Sequence, residues 1–173
     1  MIQVRGVDYK VKKFDDLTVK ELYIILQERE EVFALEQGVV YKDLDNQDFV
    51  AYHLMGFKHD ELVSYCRIIP FAIKSDVIED IHFGRVLTPI KKRKQGFGIQ
   101  LINQAIIVCK TLTDVNINIV AQAYLEKFYS GFGFKSEGEP YMYEDILHID
   151  MTLNTQDVNI MGPKKLLYSN LRK

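Results

Sequence analysis

The chain has 173 residues, of which 47% are apolar and 12% aromatic, and its net charge is −2. That length allows one domain with a sizeable core, and that composition argues against disorder. The balance of charge gives no general attraction to nucleic acid or to a membrane surface, so neither is expected as a partner.

A first strand is expected near Tyr9 to Phe14. Thr18 and Glu21 then stand at capping-box spacing, and Leu22, Ile25, Leu26 and Phe33 recur at helical intervals to near Glu36. The segment Asp43-Leu44-Asp45-Asn46-Gln47-Asp48 follows. A calcium-binding loop needs glycine at its sixth position and glutamate at its twelfth. Asp48 and Leu54 stand there instead, so the segment is expected to be a solvated acidic loop. Val50 to Phe57 and Glu61 to Ile69 look like strands joined by a turn at Lys58-His59-Asp60, and Val77 to Leu87 is a third run. Cys66 and Cys109 lie in apolar stretches with no metal-ligand spacing, which suits free thiols in a reducing cytoplasm. The N-terminus lacks a signal-peptide pattern and no apolar run nears the roughly 18 residues of a membrane span. A soluble cytoplasmic protein is the expectation.

After Pro89 the sequence changes to Lys91-Lys92-Arg93-Lys94-Gln95-Gly96-Phe97-Gly98. A helix opens there, with Leu101, Ile102, Ala105, Ile106, Cys109 and Leu112 on an apolar face. Asn116 to Ala121 is predicted as a strand, Ala123 to Ser130 as a short helix, and Gly133 to Lys135 as the start of another strand. Ile146 to Leu153 alternates, with Leu147, Ile149, Met151 and Leu153 on one face. The helix from Phe97 forces a crossover, so its flanking strands should be parallel. The class is therefore α/β or α+β: a mixed, splayed central sheet of about six to seven strands flanked by helices, in one domain over residues 1–153, with a tail over 154–173.

The basic glycine loop carries the chemistry. Glycines let the backbone approach a ligand, and the unpaired N–H groups at a helix start, reinforced by the helix dipole, favour an anion. Neither GxxxxGK[ST] nor GxGxxG is present. On these residues alone, a phosphate cradle and a solvated basic turn both remain open.

Arg93-Lys94-Gln95-Gly96-Phe97-Gly98 resembles the pyrophosphate-binding motif of the GNAT (GCN5-related N-acetyltransferase) family. Gln122, then Phe128-Tyr129 and Gly131-Phe132-Gly133-Phe134, resemble the family's second signature, in the right order. A closer resemblance, to the ElaA subfamily, runs from Leu17 to Leu153. It rests on Arg29 to Gln37, Tyr41 to Asp45, His53 to Phe57, Asp60 to Ile68, Gly84-Arg85-Val86, Ala121-Gln122-Ala123, Phe128-Tyr129 and His148 to Met151. The wider family usually has Asn where Gln122 stands.

The resemblance implies an acyl-CoA-dependent N-acetyltransferase, with acetyl-CoA as co-substrate, an amine as acceptor and no metal. Pyrophosphate would sit on Arg93, Lys94, Gln95, Gly96, Phe97 and Gly98, with Gln122 as a further contact. Pantetheine would pair with the backbone of Val86, Leu87 and Thr88, where an N–H would polarise the thioester carbonyl. Tyr129 would protonate the departing thiolate, a phenol being close in acidity to a thiol. By itself, a tyrosine beside Phe128, Phe132 and Phe134 reads as packing. The base is open between Glu36, His82, His148 and a water relay, with Glu139, Tyr141 and Glu144 as another cluster. The tail is open between packing on the domain, joining a homodimer and fraying. The alternative function is an acyl-CoA-binding sensor or interaction module with little turnover.

Overall fold

A computed structural model describes residues 6–38, 42–74 and 77–158. The strands are β1 Asp8–Lys13, β2 Tyr52–Lys58, β3 Glu61–Lys74, β4 Val77–Leu87, β5 Ile117–Gln122, β6 Lys135–Tyr143 and β7 Ile146–Leu153. The α-helices are α1 Val19–Arg29, α2 Phe97–Leu112 and α3 Glu126–Ser130. One seven-stranded sheet has the order β1-β2-β3-β4-β5-β7-β6. It is mixed: β1, β2 and β3 pair antiparallel, β4 and β5 pair parallel across the α2 crossover, and β7 pairs antiparallel with both β5 and β6. The β4–β5 ladder holds Ile81↔Ile117 and His82↔Asn118, while the strands themselves run on to Leu87 and Gln122. Among the described residues no helix is long and apolar enough to cross a membrane. The tail expectation falls mainly on 159–173, outside the described residues; before them, a 3-10 turn Thr155–Asp157 follows β7.

Two compact units divide the chain. The first comprises the chain up to Ile69 together with Arg85–Gln104. Here Thr18 caps α1 as its spacing predicts: the Glu21 N–H donates to Thr18 Oγ1 at 3.2 Å, and the Thr18 N–H donates to Glu21 Oε2 at 2.9 Å. Both bonds satisfy donors that a helix start leaves over. The helical run reaches Glu36 as expected, but past Arg29 it widens into a π-helical stretch, Glu30–Glu36. His59 and Asp60, both at positive φ (50° and 62°), make the two-residue turn between β2 and β3, a geometry that matches the twist of the flanking strands. Ile25, Val32, Met55, Leu62, Tyr65 and Leu87 form the core of this unit.

The second unit comprises Pro70–Gly84 and the chain from Ala105. Alternation along its strands buries Ile81, Phe83, Ile117, Ile119, Ala121, Ile149, Met151 and Leu153. Leu147, expected on that face, is instead 45% exposed at the start of β7. The opposite face carries His82, Asn118 and Thr152 in one cross-strand row.

Candidate functional site

In the first unit, β4 ends at Leu87, a 3-10 turn Ile90–Lys92 follows, and the chain reverses into α2. Lys94 (φ 60°) and Gly96 (φ 83°) both adopt left-handed backbone in this loop. The Gln100 N–H donates to the Gly96 carbonyl at 3.2 Å, which is the first bond of the helix ladder. The N–H groups of Phe97, Gly98 and Ile99 therefore have no acceptor inside α2 and converge at its positive end. Phe97 is 2% exposed and anchors this end from below. A Cβ on Gly98 would meet only Thr88 Oγ1, at an ordinary 3.7 Å. The fold therefore does not need glycine at 98, whereas a backbone approached by a ligand does.

The Arg93 side chain has protein partners of its own. Its guanidinium holds both oxygens of Glu36 at 2.6 Å, and its Nε donates to the Thr88 carbonyl at 3.2 Å. The hydrogen bonds and charge of Arg93 hold the Glu36 carboxyl below its ordinary range, against a smaller effect of burial. That weakens Glu36 as a base and makes it a tether for the loop. Leu87 is buried in the core cluster, so it offers a ligand its backbone only.

The expected solvated acidic loop is a correction. Asp43, Asp45 and Asp48 are engaged by Arg29, Arg67 and Arg85. Arg29, fully buried, donates from Nε to Asp43 at 2.8 Å and from Nη1 to Asp48 at 2.6 Å. Arg67 grips Asp45 with two bonds of 2.7 Å. Arg85 donates from Nε to Asp43 at 2.7 Å. A buried guanidinium persists only when its charge and donors are matched in this way. Burial opposes the Arg29 charge, but Tyr65, Asp48 and Asp43 outweigh it and raise its pKa. His53 sits behind, accepting from Tyr65 Oη at 2.9 Å and donating from Nε2 to the Asp48 carbonyl at 3.0 Å. Burial lowers its pKa and keeps it neutral.

In the second unit, Tyr129 lies on α3, 6% exposed, with ring centroids 5.2 Å from Phe128 and 6.0 Å from Phe134. Gln122 closes β5, and its Oε1 accepts from the exposed Tyr124 hydroxyl at 2.6 Å. His82 heads a chain of hydrogen bonds: Nε2 meets Asp80 Oδ2 at 2.8 Å, Asp80 Oδ1 accepts from Asn118 at 2.8 Å, and Asn118 Oδ1 accepts from Thr152 at 2.7 Å. Phe71 packs edge-on against the imidazole at 4.9 Å. A carboxylate on Nε2 fixes the tautomer and leaves Nδ1 as the acceptor, the arrangement of an oriented base. His148 instead donates its Nδ1 proton to its neighbour's carbonyl, Ile146, at 2.9 Å. Tyr141 donates to Asp150 at 2.8 Å. Burial and that bond push its pKa up to about 12, which makes it a poor proton source.

Val86, Leu87, Thr88 and the loop Arg93 to Gly98 thus fall in the first unit, and Gln122 and Tyr129 in the second. Sequence reasoning missed Asp80, Asn118 and Thr152 as partners of His82. Asp80 and His82 stand two apart on a strand and so share a face, a signal that was present.

A mixed seven-stranded sheet with helices, and a glycine loop that opens a helix straight after its fourth strand, define an acyltransferase fold. The sequence model of the acetyltransferase (GNAT) domain matches residues 27–155, and this chain belongs to the GNAT acetyltransferase family. Protein ElaA of Escherichia coli is 34% identical over 148 residues, covering 84% of this chain and 95% of the relative. The crystal structure of E. coli ElaA superposes with a TM-score of 0.77 at 33% identity, covering 85% of this chain and 99% of that one. An acyl-CoA N-acyltransferase from Pseudomonas aeruginosa superposes with a TM-score of 0.77 at 36% identity, covering 86% and 99%. A GNAT acetyltransferase from Elizabethkingia anophelis, solved with acetyl-CoA bound, shares the fold at 12% identity, with a TM-score of 0.60 and coverage of 87% and 99%.

Proposed function

We propose that the protein moves an acetyl or other acyl group from acyl-CoA to a primary amine, by direct attack of the amine on the thioester. The observation that carries this reading is the start of α2, where the N–H groups of Phe97, Gly98 and Ile99 precede the first bond of the helix ladder, beside a glycine at 98 that the packing does not demand. Pyrophosphate is the anion for which such a cradle is suited. With pyrophosphate there, pantetheine runs back along β4 past Thr88 and Leu87 to Val86. The Thr88 carbonyl already accepts from Arg93, so the N–H groups and the remaining carbonyls of this stretch pair with it.

The amine nitrogen attacks the thioester carbon, and negative charge moves to the carbonyl oxygen, where a β4 N–H receives it. The C–S bond then breaks and the thiolate takes up a proton, the role that the family resemblance gives to Tyr129. The nitrogen must also lose a proton, and His82, held by Asp80 at 2.8 Å, is the candidate base. The acceptor is a primary amine, and the buried cysteines Cys66 and Cys109 suit a reducing compartment. The test is release of CoA thiol from acetyl-CoA in the presence of a panel of primary amines, with the acylated product identified by mass. Thiol release that no amine accelerates would count against the reading.

A further inference from the structure

Among the described residues seven non-glycine residues have positive φ, and of these Arg85 (φ 51°) lies inside a strand while Asn46, His59, Asp60, Lys94, Glu144 and Asp145 lie in turns or loops. L-residues resist this conformation, so the surroundings must impose it. The surroundings are visible. Arg85 Nε donates to Asp43 Oδ1 at 2.7 Å, its Nη2 lies 3.5 Å from the Asp43 carbonyl, and Asp45 Oδ2 lies 3.5 Å from Nη2. Asp43 is itself fixed from behind. Buried Arg29 donates from Nε to its other carboxylate oxygen at 2.8 Å and from Nη2 to its carbonyl at 3.0 Å. At the far end of the same stretch, Arg93 is fixed to Glu36 and to the Thr88 carbonyl. Val86, Leu87 and Thr88 therefore lie between two guanidinium anchors, each held by a carboxylate from the segment after α1.

We infer that the Asp43–Arg85 clamp is a positioning device that holds Arg85 in left-handed backbone, and so aims the peptide groups of Val86–Thr88 at the pantetheine arm of the acyl-CoA. This rests on the acyl-CoA reading above. A left-handed residue breaks the pleat of a strand and re-aims the residues that follow it. Arg85 and Asp43 touch no reacting atom; they act through the backbone of their neighbours.

Two substitutions separate this role from simple charge pairing. Arg85→Gly and Arg85→Ala both remove the guanidinium, but glycine accepts the left-handed conformation and alanine does not. The probes are CoA and 3′-phosphoadenosine diphosphate, which keeps the pyrophosphate and lacks pantetheine. Arg85→Ala is expected to weaken CoA binding roughly 5- to 30-fold relative to Arg85→Gly, the ratio set by the cost of that conformation. Affinity for the pantetheine-free nucleotide should stay within about twofold of the parent in both, by the same reasoning. The amide resonances of Val86 and Leu87 in the free protein should move further in Arg85→Ala than in Arg85→Gly. Equal CoA affinities for the two variants, or an equal loss of nucleotide binding, would overturn the clamp while leaving the acyl-CoA reading standing. A parent protein that binds neither probe would overturn that reading and the clamp with it.

Discussion

Replacing Gly98 with valine is expected to separate ligand binding from folding. The new Cβ meets Thr88 Oγ1 at 3.7 Å, an ordinary contact, so the branch point itself is accommodated. Valine is also no worse than glycine inside a helix, and the melting temperature should hold or rise slightly. The cost falls on an anion seated at the helix start, because the two methyl groups occupy its approach to the N–H of Gly98. A hydrogen bond to a charged group contributes about 1.5–3 kcal/mol, and about 1.4 kcal/mol is a factor of ten. Losing one such bond should weaken acetyl-CoA roughly 10- to 150-fold. Isothermal titration with acetyl-CoA measures this, with calorimetric melting alongside. An affinity within threefold of the parent in a folded variant would refute the cradle, and so would a loss of affinity matched by a loss of stability.

Tyr129→Phe keeps the ring in contact with Phe128 and Phe134. As the proton donor it should cost about 10²–10⁴ in kcat with acyl-CoA affinity kept; single-turnover rates within threefold of the parent would reduce Tyr129 to packing. His82→Gln should lower kcat by a similar factor, and Asp80→Asn should lower it less, since the imidazole then keeps its place but loses its fixed tautomer. If His148→Gln gives the larger loss, the base has been assigned wrongly. Acid should loosen the first unit. Burial pushes the Asp45 carboxyl up, but bonds and charge from Arg67, with Arg85 behind, hold it below its ordinary 3.8. The unfolded chain then binds the proton more readily, so this contribution is complete above about pH 4 and lost as pH falls through the lower native value. Asp45→Asn should flatten the fall in melting temperature below pH 4, and an unchanged slope would contradict this.

The elements whose causes are local could be read in advance. Thr18 and Glu21 set the start of α1 by their spacing, and the run Val77 to Leu87 before Pro89 matched the limits of β4. The glycine loop was equally legible, because a basic turn entering a helix is chemistry written in consecutive residues. What escaped was long-range. Nothing near Asp43 announces that Arg29 and Arg85 lie 14 and 42 positions away with their donors aimed at it. A run of carboxylates looks the same whether water or arginine meets it. Nor does anything near Arg93 announce that its side chain is tied to Glu36, 57 positions earlier. The π-helical stretch past Arg29 has no period distinct enough to separate it from the helix it continues. The row from His82 through Asn118 to Thr152 exists because strand order sets β5 between β4 and β7, and register follows from the assembled sheet.

The central claim is acyl transfer, and amine-dependent release of CoA thiol from acetyl-CoA by the purified full chain tests it most directly. The expected result is release that at least one primary amine accelerates, with the acetyl group recovered on that amine, and that Tyr129→Phe slows by a hundredfold or more. Tight acetyl-CoA binding with no acceleration by any amine would contradict it and leave a sensor that uses the same cradle.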